Sequence, residues 1–508
     1  MTSRPIQRVL VANRGEIALR IIRACHDEGL AAIAVYSDAD RHAPFVRAAD
    51  SSVRLGPAPA SESYLRHDLL LEAARVSGAD AVHPGYGFLS ERAPFARAVE
   101  AAGLVWIGPP PSAIDAMGDK TAARRLMQAA GVPIVPGAVT ALEQPADAAA
   151  VAESIGYPVL VKAAAGGGGK GMRVVRAVGD LASAITSASS EALNSFGDGS
   201  IYLEKYVERP RHVEIQVLAD HQRTVHIGER ECSVQRRHQK LLEEAPSVAV
   251  SPALREKMGA AAVAAAVAVG YRGAGTCEFL LAADGSFFFL EMNTRIQVEH
   301  PVTEEVYGVD LVREQLRIAR GLPMTLADRP VAPRGWAIEC RITSEDPSNN
   351  LLPSAGRIEW MRAPSGPGVR WESGIEAGSV VTLHYDSMLA KLIVHAPDRP
   401  AAIAAMRRAL DELVIVGVAT NAPFHRRLLT DPDFVAGAID IQFLERRPDL
   451  LTLPDSAEDI TRIAITVALL EEERRPNRTP VKATTIGAAA PPLPVSAWRA
   501  LARRDSLR

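Results

Sequence analysis

The sequence predicts an α/β protein that begins with a doubly wound parallel sheet. Short apolar runs of strand length alternate with helical patterns in the first part of the chain, and this alternation is typical of parallel sheets with helices on both faces. Farther along, a glycine cluster separates two more strand patterns, and from about Gly335 the sequence is rich in strands and turns. We therefore expect an N-terminal doubly wound α/β unit, a central unit with a mobile glycine-rich lid, and a C-terminal α+β unit.

The composition is that of an ordinary globular chain. Its 508 residues are 47% hydrophobic and 23% charged, with a net charge of −3. The length suggests roughly three domains of about 100–200 residues each, and the balanced charge predicts no nucleic-acid and no membrane partner. The four cysteines contain no CxxC pair, which argues against a zinc site and a disulfide framework. Because the N-terminus also has no signal-peptide pattern, the expected location is cytoplasmic.

The N-terminal elements follow one another at short intervals. Residues 7–12 read as a buried strand, 13–15 as a turn and 16–28 as a helix, and further strands are predicted at 30–36, 79–83 and 104–107. The first turn holds one glycine, Gly15, instead of the G-x-G-x-x-G pattern, so a nicotinamide dinucleotide is not expected there.

The glycine cluster at residues 166–171 lies between strand patterns at 159–163 and 172–175. Lys170 is followed by glycine rather than serine or threonine, which excludes a Walker A loop. A purely structural turn is one interpretation, but such a turn rarely needs four glycines in a row. We favour a flexible flap whose backbone N–H groups close over phosphates.

Two later segments are dense in polar side chains. Residues 229–240 carry many charges between strand patterns, which favours an anion-binding segment over a basic surface loop. Residues 291–299 alternate strictly, with Glu291, Asn293, Arg295, Gln297 and Glu299 on one parity. If extended, this row shares one face of a strand, and a hairpin through residues 283–285 would bring Glu278 near Glu291 and Asn293. Two carboxylates and an amide oxygen suit magnesium, although a solvated strand face is the alternative.

The last part of the chain starts with a strand at residues 336–342, and a helix is predicted near 401–413. A further helix at 456–474, with a possible Ser456/Asp459 capping box, precedes a segment rich in proline and alanine.

Taken together, the motifs resemble biotin carboxylase, an ATP-grasp enzyme, over about residues 8–444. They are V-A-N-R-G-E-I-A at 11–18, H-P-G-Y-G-F at 83–88, M-G-D-K at 117–120, the glycine cluster, R-R-H-Q-K at 236–240 and the row at 291–301. The resemblance implies an N-terminal α/β domain at 1–118, an ATP-grasp domain at 119–333 with its lid at about 135–206, a C-terminal domain at 334–446 and a tail at 447–508.

The resemblance implies ATP-dependent carboxylation of biotin with bicarbonate, through carboxyphosphate. Glu299 would be the general base, Arg341 would stabilise the biotin enolate, and bicarbonate would be held by Lys240, Arg295, Gln297 and the Val298 backbone. Magnesium (or manganese) would be bound by Glu278, Glu291 and Asn293. The residues implied for the nucleotide are Lys120 and Lys162 at the phosphates, Gly168 and Gly169 in the lid, Glu204, Lys205 and Val207 at the adenine, and His212, Gln235, His238 and Tyr86 in the same cofactor-binding set.

The partners implied are a biotin carboxyl carrier protein and a carboxyltransferase subunit, with a homodimer inside a larger holoenzyme. Biotin is expected on a separate carrier, because Lys482, the only lysine after residue 444, has no neighbouring methionine. The final acyl-CoA or keto-acid acceptor is not predicted.

Two alternatives to this function are disfavoured by the sequence. Another ATP-grasp ligase, of the carbamoyl-phosphate synthetase type, is disfavoured by the unit that begins at Trp336 and by the bicarbonate row. A nucleotide-sensing scaffold without catalysis would be expected to lack some of Lys240, Glu299 and Arg341, and all three are present.

Overall fold

The N-terminal part is a five-stranded parallel sheet with the strand order β3-β2-β1-β4-β5. The computed structural model describes residues 6–137, 145–163, 172–196, 199–237, 239–326, 332–451, 461 and 465–469. The order reverses between β1 and β4, as a doubly wound sheet requires, so the predicted fold class is confirmed; β3 had no clear sequence signal. The elements are β1 (Arg8–Val11), α1 (Gly15–Asp27), β2 (Ala31–Ser37), α2 (Pro44–Ala48), β3 (Ser51–Gly56), α3 (His67–Ser77), β4 (Ala81–His83), α4 (Ala93–Ala101), β5 (Val105–Trp106) and α5 (Pro111–Gly118).

A small antiparallel sheet with the order β7-β6-β8 forms the next part. Its two strands on either side of the glycine cluster agree with the sequence prediction, while the cluster itself lies outside the described residues. Buried side chains of its strands and of the helices at Pro145–Ile155 and Leu181–Phe196 form a separate apolar cluster. The elements are α6 (Lys120–Ala129), α7 (Pro145–Ile155), β6 (Val159–Ala163), β7 (Arg173–Val175), α8 (Leu181–Phe196) and β8 (Ile201–Lys205).

The largest sheet has eight strands in the order β13-β12-β9-β10-β11-β14-β21-β19, and its paired strands are antiparallel. Its first five strands precede the predicted boundary at residues 333/334. These strands and their helices are β9 (Arg211–Ala219), β10 (Thr224–Arg236), β11 (Gln239–Ala245), α9 (Pro252–Ala268), β12 (Gly273–Leu281), β13 (Phe287–Asn293), α10 (His300–Tyr307) and α11 (Leu311–Ala319).

The C-terminal part continues the same sheet, because β14 pairs with β11 from Leu242↔Cys340 to Ala245↔Ala337. The domain limits given above remain predictions, and the sheet itself is continuous across 333/334. The elements are β14 (Trp336–Thr343), β15 (Glu345–Asp346), β16 (Leu352–Pro353), β17 (Gly356–Arg357), β18 (Trp360–Arg362), β19 (Val369–Ser373), β20 (Val380–Val381), β21 (Met388–Ala396), α12 (Arg399–Glu412), β22 (Val414–Val416), α13 (Ala422–Leu428), α14 (Pro432–Ala436) and α15 (Phe443–Arg446).

The alternating row corrects one sequence prediction. The strand ends at Asn293 instead of running to Glu299, and α10 begins at His300. Beyond the strand, other parts of the chain bind the backbone in place of a sheet partner; the N–H of Thr294, for example, donates to Glu91 at 3.0 Å. Glu291 is also exposed rather than deep in the fold.

The contacts divide the chain into one unit at Met1–Leu453 and another at Pro454–Arg508. In the second unit residues 465–469 are helical, and most of the helix predicted at 456–474 lies outside the described residues. Among the described helices, none combines the length and the apolar character that a membrane crossing requires.

We expect Gly137→Ala to destabilise the small sheet. Gly137 forms an isolated antiparallel bridge with Glu204. An added Cβ would lie 2.3 Å from the carbonyl oxygen of Leu203 and 2.6 Å from the Cα of Glu204. Both are backbone atoms, so β8 must move, at a cost of about 1–3 kcal/mol. Thermal unfolding measures this loss.

Gly179→Ala is the matched control, because a Cβ there meets nothing within 4 Å. Equal unfolding midpoints for the two variants would contradict the proposed clash.

Candidate active site

A cleft of about 780 Å³ lies where the three parts of the chain meet. The N-terminal sheet contributes Asn13 and Tyr86, which follow the carboxyl ends of β1 and β4, the usual ligand-binding edge of a parallel sheet. The small sheet contributes Lys162 and Glu204, and the large sheet supplies most of the remaining wall.

Thirteen of the predicted site residues line this cleft. They are Tyr86, Lys162, Glu204, His212, Gln235, Lys240, Glu278, Glu291, Asn293, Arg295, Gln297, Val298 and Arg341. Glu299 lies behind two of them, because its side chain is fully buried and contacts Lys240 and Arg341. Lys205 and Val207 are not among the lining residues, and the ammonium of Lys205 donates to the carbonyls of Gly156 and Tyr157. Their contacts with adenine remain predictions.

Lys240 lies at the centre of three carboxylates. Its Nζ is 2.6 Å from Glu214, 2.9 Å from Glu278 and 2.7 Å from Glu299. Burial alone would lower the pKa of Lys240, but these three carboxylates raise it well above its usual value. The ammonium therefore keeps its charge inside the protein.

Each of these carboxylates also contacts a second basic side chain. Arg230 binds Glu214 at 2.5 Å, His212 Nε2 lies 2.9 Å from Glu278, and Arg341 Nη2 lies 2.9 Å from Glu299. Burial opposes ionisation of Glu278 and Glu299, yet the neighbouring cations hold both pKa values well below the usual range. Both carboxyl groups are therefore ionised at neutral pH.

The side chain of Arg295 is fixed on three sides. It donates to Glu91 at 3.1 Å, to Asn293 Oδ1 at 3.0 Å and to Gln297 Oε1 at 2.9 Å. Gln297 in turn donates to Glu278 at 3.0 Å. Because Nη1 also donates to the Ile296 carbonyl at 3.2 Å, the guanidinium is held firmly and places a fixed positive charge at the wall of the cleft, where it can attract an oxyanion.

The small sheet brings a second cationic group to the cleft. Lys162 Nζ lies 2.7 Å from Glu204, which also binds Arg124 at 3.1 Å. Burial opposes the charge of Lys162, but the net effect of Glu204 and Tyr202 is to raise its pKa. This ammonium is available for an anionic ligand such as a phosphate.

The predicted metal ligands fit a magnesium ion by their chemistry. Glu278 and Glu291 are directly opposite each other on β12 and β13, and Asn293 donates to Glu278 at 2.8 Å. The set contains two carboxylates and one amide oxygen, which are the hard donors that magnesium prefers, and the amide oxygen also accepts from Arg295 at 3.0 Å. Lys240 and His212 also contact Glu278, so a bound ion would share this carboxylate with them.

Four predicted residues cannot be placed in this way. Gly168, Gly169 and His238 lie outside the described residues, and the side chain of Lys120 is not described. Their roles remain predictions.

The sequence interpretation missed three acidic residues that hold the predicted ones in place. Glu214 contacts Lys240, Glu243 contacts Arg341 at 2.5 Å, and Glu91 contacts Arg295. Glu214 and Glu243 stand in strand-like segments among apolar residues, and an acid in such a position needs a partner. That signal was available, whereas Glu91 follows a turn and has no such pattern.

Family models match nearly the whole described chain. A biotin carboxylase N-terminal domain matches residues 5–114, the ATP-binding domain of the carbamoyl-phosphate synthase L chain matches 119–327, and a biotin carboxylase C-terminal domain matches 339–446.

Known proteins are similar over the same range. A biotin carboxylase of Haemophilus influenzae is 50% identical over 444 residues, which are 87% of this chain and 99% of that protein. Biotin carboxylase 1 of Bacillus subtilis is 50% identical over 442 residues, 87% of this chain and 98% of that protein. A crystal structure of the Hydrogenobacter thermophilus 2-oxoglutarate carboxylase biotin carboxylase domain dimer, with MgADP, ADP and bicarbonate, has a TM-score of 0.83 and 44% identity, and the match covers 89% of this chain and 100% of that one.

We expect Glu243→Gln to flatten the pH dependence of stability between about pH 5 and 7. Burial raises the pKa of Glu243 to about 7, against the opposing effect of Arg341. A carboxyl group with a raised pKa in the folded state stabilises the fold below its unfolded pKa of about 4.3, and this contribution is lost as the pH rises through 7. Glutamine does not titrate, so unfolding midpoints of the variant should fall less over this range.

Glu304→Gln is the control for this pH series. The pKa of Glu304, which burial would raise, is lowered to about 2 chiefly by Arg20, so this group stays ionised throughout the range. Parallel curves for the native protein and Glu243→Gln would refute the assignment.

Proposed function

The chain belongs to the biotin carboxylase family, and we propose that the residues of its cleft carry out the two steps by which biotin is carboxylated. The protein is an ATP-dependent biotin carboxylase that uses bicarbonate and magnesium, and its biotin is carried by a biotin carboxyl carrier protein. The residue assignments depend on one observation. The buried carboxylate of Glu299 contacts both Lys240 and Arg341, next to the fixed guanidinium of Arg295.

The bicarbonate site is assigned to the segment after β13. Arg295 and Lys240 supply positive charge, and Gln297 and the N–H of Val298 supply further donors. Lys240 is the partner of Glu299 at 2.7 Å, so a bicarbonate held by Lys240 would lie next to that carboxylate. Because bicarbonate and Glu299 would be held side by side in one complex, the proton transfer between them would need no separate collision.

Glu299 is assigned as the general base. Its fully buried carboxylate is ionised, so an oxygen is free to take the proton of bicarbonate. Lys240 and Arg341 lower its pKa and thereby weaken it as a base, and a bicarbonate that draws Lys240 toward itself would restore part of that basicity. The bicarbonate oxygen then attacks the γ-phosphorus of ATP, the bond from that phosphorus to the bridging oxygen of ADP breaks, and carboxyphosphate forms.

The nucleotide is assigned to the wall between the small sheet and the large one. Lys162, together with Lys120 and the glycines Gly168 and Gly169, would contact the phosphates; Glu204, Lys205 and Val207 would contact the adenine. His212, Gln235, His238 and Tyr86 complete the set. A metal ion held by Glu278, Glu291 and Asn293 would neutralise charge on the phosphates.

Arg341 is assigned to the second step. Carboxyphosphate breaks down to CO₂ and phosphate, the released phosphate takes the proton of the ureido nitrogen of biotin, and the nitrogen of the resulting enolate attacks CO₂. The guanidinium of Arg341 lines the cleft and would stabilise the negative oxygen of that enolate. Glu243 and Glu299 fix its orientation at 2.5 and 2.9 Å.

A ligase of the carbamoyl-phosphate synthetase type shares only the ATP-binding part. The matching model for that part covers residues 119–327, but biotin carboxylase domains match on both sides of it. Arg341 also comes from the C-terminal part, outside the shared domain. Both findings favour biotin as the acceptor.

The family implies a carrier protein and a carboxyltransferase as partners. We further propose that the chain forms a homodimer within a larger holoenzyme, because the similar 2-oxoglutarate carboxylase domain is described as a dimer. The keto acid or acyl-CoA that receives the carboxyl group is selected by the carboxyltransferase.

We expect Glu299→Gln to lower bicarbonate-dependent ATP cleavage by about 100-fold or more, the usual scale for a general base. Glutamine keeps the size of the side chain but cannot accept the proton. ATP affinity, measured by equilibrium titration, should stay near the native value. Glu314→Gln is the control, because Glu314 is also a buried acid and its oxygens accept from Thr325. If Glu299→Gln has the same turnover as this control, Glu299 is not the general base.

We expect Arg341→Gln to lower the carboxylation of free biotin by at least tenfold more than it lowers bicarbonate-dependent ATP cleavage. Arg341 serves the second step through the enolate and the first step only through its contact with Glu299. Phosphate release and carboxybiotin formation are measured in the same reaction. Equal losses in the two assays would contradict the assignment to the enolate.

A further inference from the structure

The bicarbonate segment, residues 294–299, has an irregular backbone that needs support from outside the sheet. Asn293 is the last strand residue before it, and α10 begins directly after it. Two consecutive carbonyl groups in this segment accept hydrogen bonds from buried basic side chains. Lys391 Nζ donates to the Val298 carbonyl at 3.0 Å, and His300 Nδ1 lies 2.8 Å from the Gln297 carbonyl.

The surroundings of Lys391 explain how it can reach this carbonyl. Arg341, Lys391 and Glu372 are directly opposite one another on β14, β21 and β19. Lys391 is fully buried, and its Nζ lies 2.8 Å from Glu372 and 3.3 Å from Glu16. These two acids are ion-pair partners of the ammonium, whereas its hydrogen bond goes to the Val298 carbonyl.

If Lys391 only stabilised the fold through ion pairs, it would not need its contact with the Val298 carbonyl. Burial lowers the pKa of Lys391, but Glu16 and Glu372 raise it above its usual value, so the group keeps its charge. Glu372, whose pKa is held well below the usual range, already compensates this charge. The hydrogen bond of Lys391 goes to the peptide group that precedes Glu299, and it therefore couples β21 to the position of the general base.

His300 acts on the neighbouring peptide group. Burial and Lys391 lower its pKa to about 3, so the ring is neutral, and Nδ1 must carry the proton because a carbonyl oxygen only accepts. A trans peptide group is planar, with its C=O and N–H pointing in opposite directions. A bond that fixes the Gln297 carbonyl therefore also fixes the direction of the Val298 N–H.

We propose that Lys391 and His300 are positioning residues for the bicarbonate site: they hold the carbonyls of Val298 and Gln297, and thereby orient the Val298 N–H and the carboxylate of Glu299. The inference rests on the proposed function, since it concerns the donors assigned to bicarbonate. Neither side chain lines the cleft, so both act through the main chain.

Lys391→Met tests the first contact. Removal of a hydrogen bond from a charged donor should raise the KM for bicarbonate by about 10- to 100-fold, while the Kd for ATP changes less than threefold. Arg399→Met is the matched control. Arg399 is also buried and binds the acid Glu244 in the same sheet, but it has no contact with the segment. A folded Lys391→Met protein with the KM of the control would overturn the proposal.

A double variant covers the case in which Lys391→Met fails to fold. Lys391→Met combined with Glu372→Gln removes one buried negative charge together with the positive one, which limits the cost of the unpaired acid. We expect the same increase in KM for bicarbonate in the double variant and a KM within threefold of native in Glu372→Gln alone. A double variant with a native KM would overturn the role of Lys391.

The second contact is tested by a pair of variants at His300. Asparagine places an N–H donor close to the position of Nδ1, and leucine fills a similar volume without a donor. We expect His300→Asn to keep a KM for bicarbonate within threefold of native and His300→Leu to raise it about tenfold or more. If the two variants have equal KM values, His300 only fills space and its positioning role is wrong.

Amide hydrogen exchange separates this inference from the proposed function. In the ligand-free protein, peptides that cover residues 294–300 should exchange at least about tenfold faster in Lys391→Met than in Arg399→Met. Unchanged exchange there would overturn the positioning role even if activity falls. If the native protein shows no bicarbonate-dependent ATP cleavage, the proposed function is wrong. The exchange measurement then still decides whether Lys391 holds residues 294–300 in place.

Discussion

The buried ammonium of Lys240 is the contact on which the rest of the site depends. Three carboxylates approach it within 2.9 Å, and without a cation their mutual repulsion in a low-dielectric interior would protonate at least one of them. Each carboxylate has a second basic partner as well, so acids and bases nearly balance. A buried charge is tolerated only under such conditions, and the balance keeps Glu299 ionised, the state in which a carboxylate can act as a base.

The sheet produces this balance through its register. Arg230, Glu214, Glu278 and Glu291 are directly opposite one another on four adjacent strands. Opposed residues in antiparallel strands point to the same face, so the four side chains form one polar row across β10, β9, β12 and β13. A one-residue slip of any strand would turn its charge toward the apolar face, so the electrostatics of the site also select the correct register.

Local patterns in the sequence predicted most elements and one pairing of neighbouring strands, but not the contacts between distant parts of the chain. The alternating strands and helices gave the parallel sheet, and the hairpin before Phe287 correctly placed Glu278 opposite Glu291. Strict alternation also suggested that the strand runs to Glu299, and this was wrong, because Glu91 and Lys391 satisfy backbone groups that a neighbouring strand would otherwise bind. Such partners are about 200 and 93 residues away in the chain, a distance at which periodicity carries no information.

The C-terminal part is a structural component of the catalytic site, not an addition to it. β14 and β21 carry Arg341 and Lys391 and pair in the same sheet as the strands that carry Lys240 and Glu278. Separation at residues 333/334 would break the β11–β14 pairing and would remove the cations that contact Glu243 and Glu244. Glu299 would lose Arg341 and keep Lys240 as its remaining ion-pair contact. An unpaired buried charge destabilises a fold by more than a buried ion pair stabilises it. The residues before this boundary therefore cannot keep the same arrangement alone. The active site and the large sheet therefore form one cooperative structure, although three sequence families describe it.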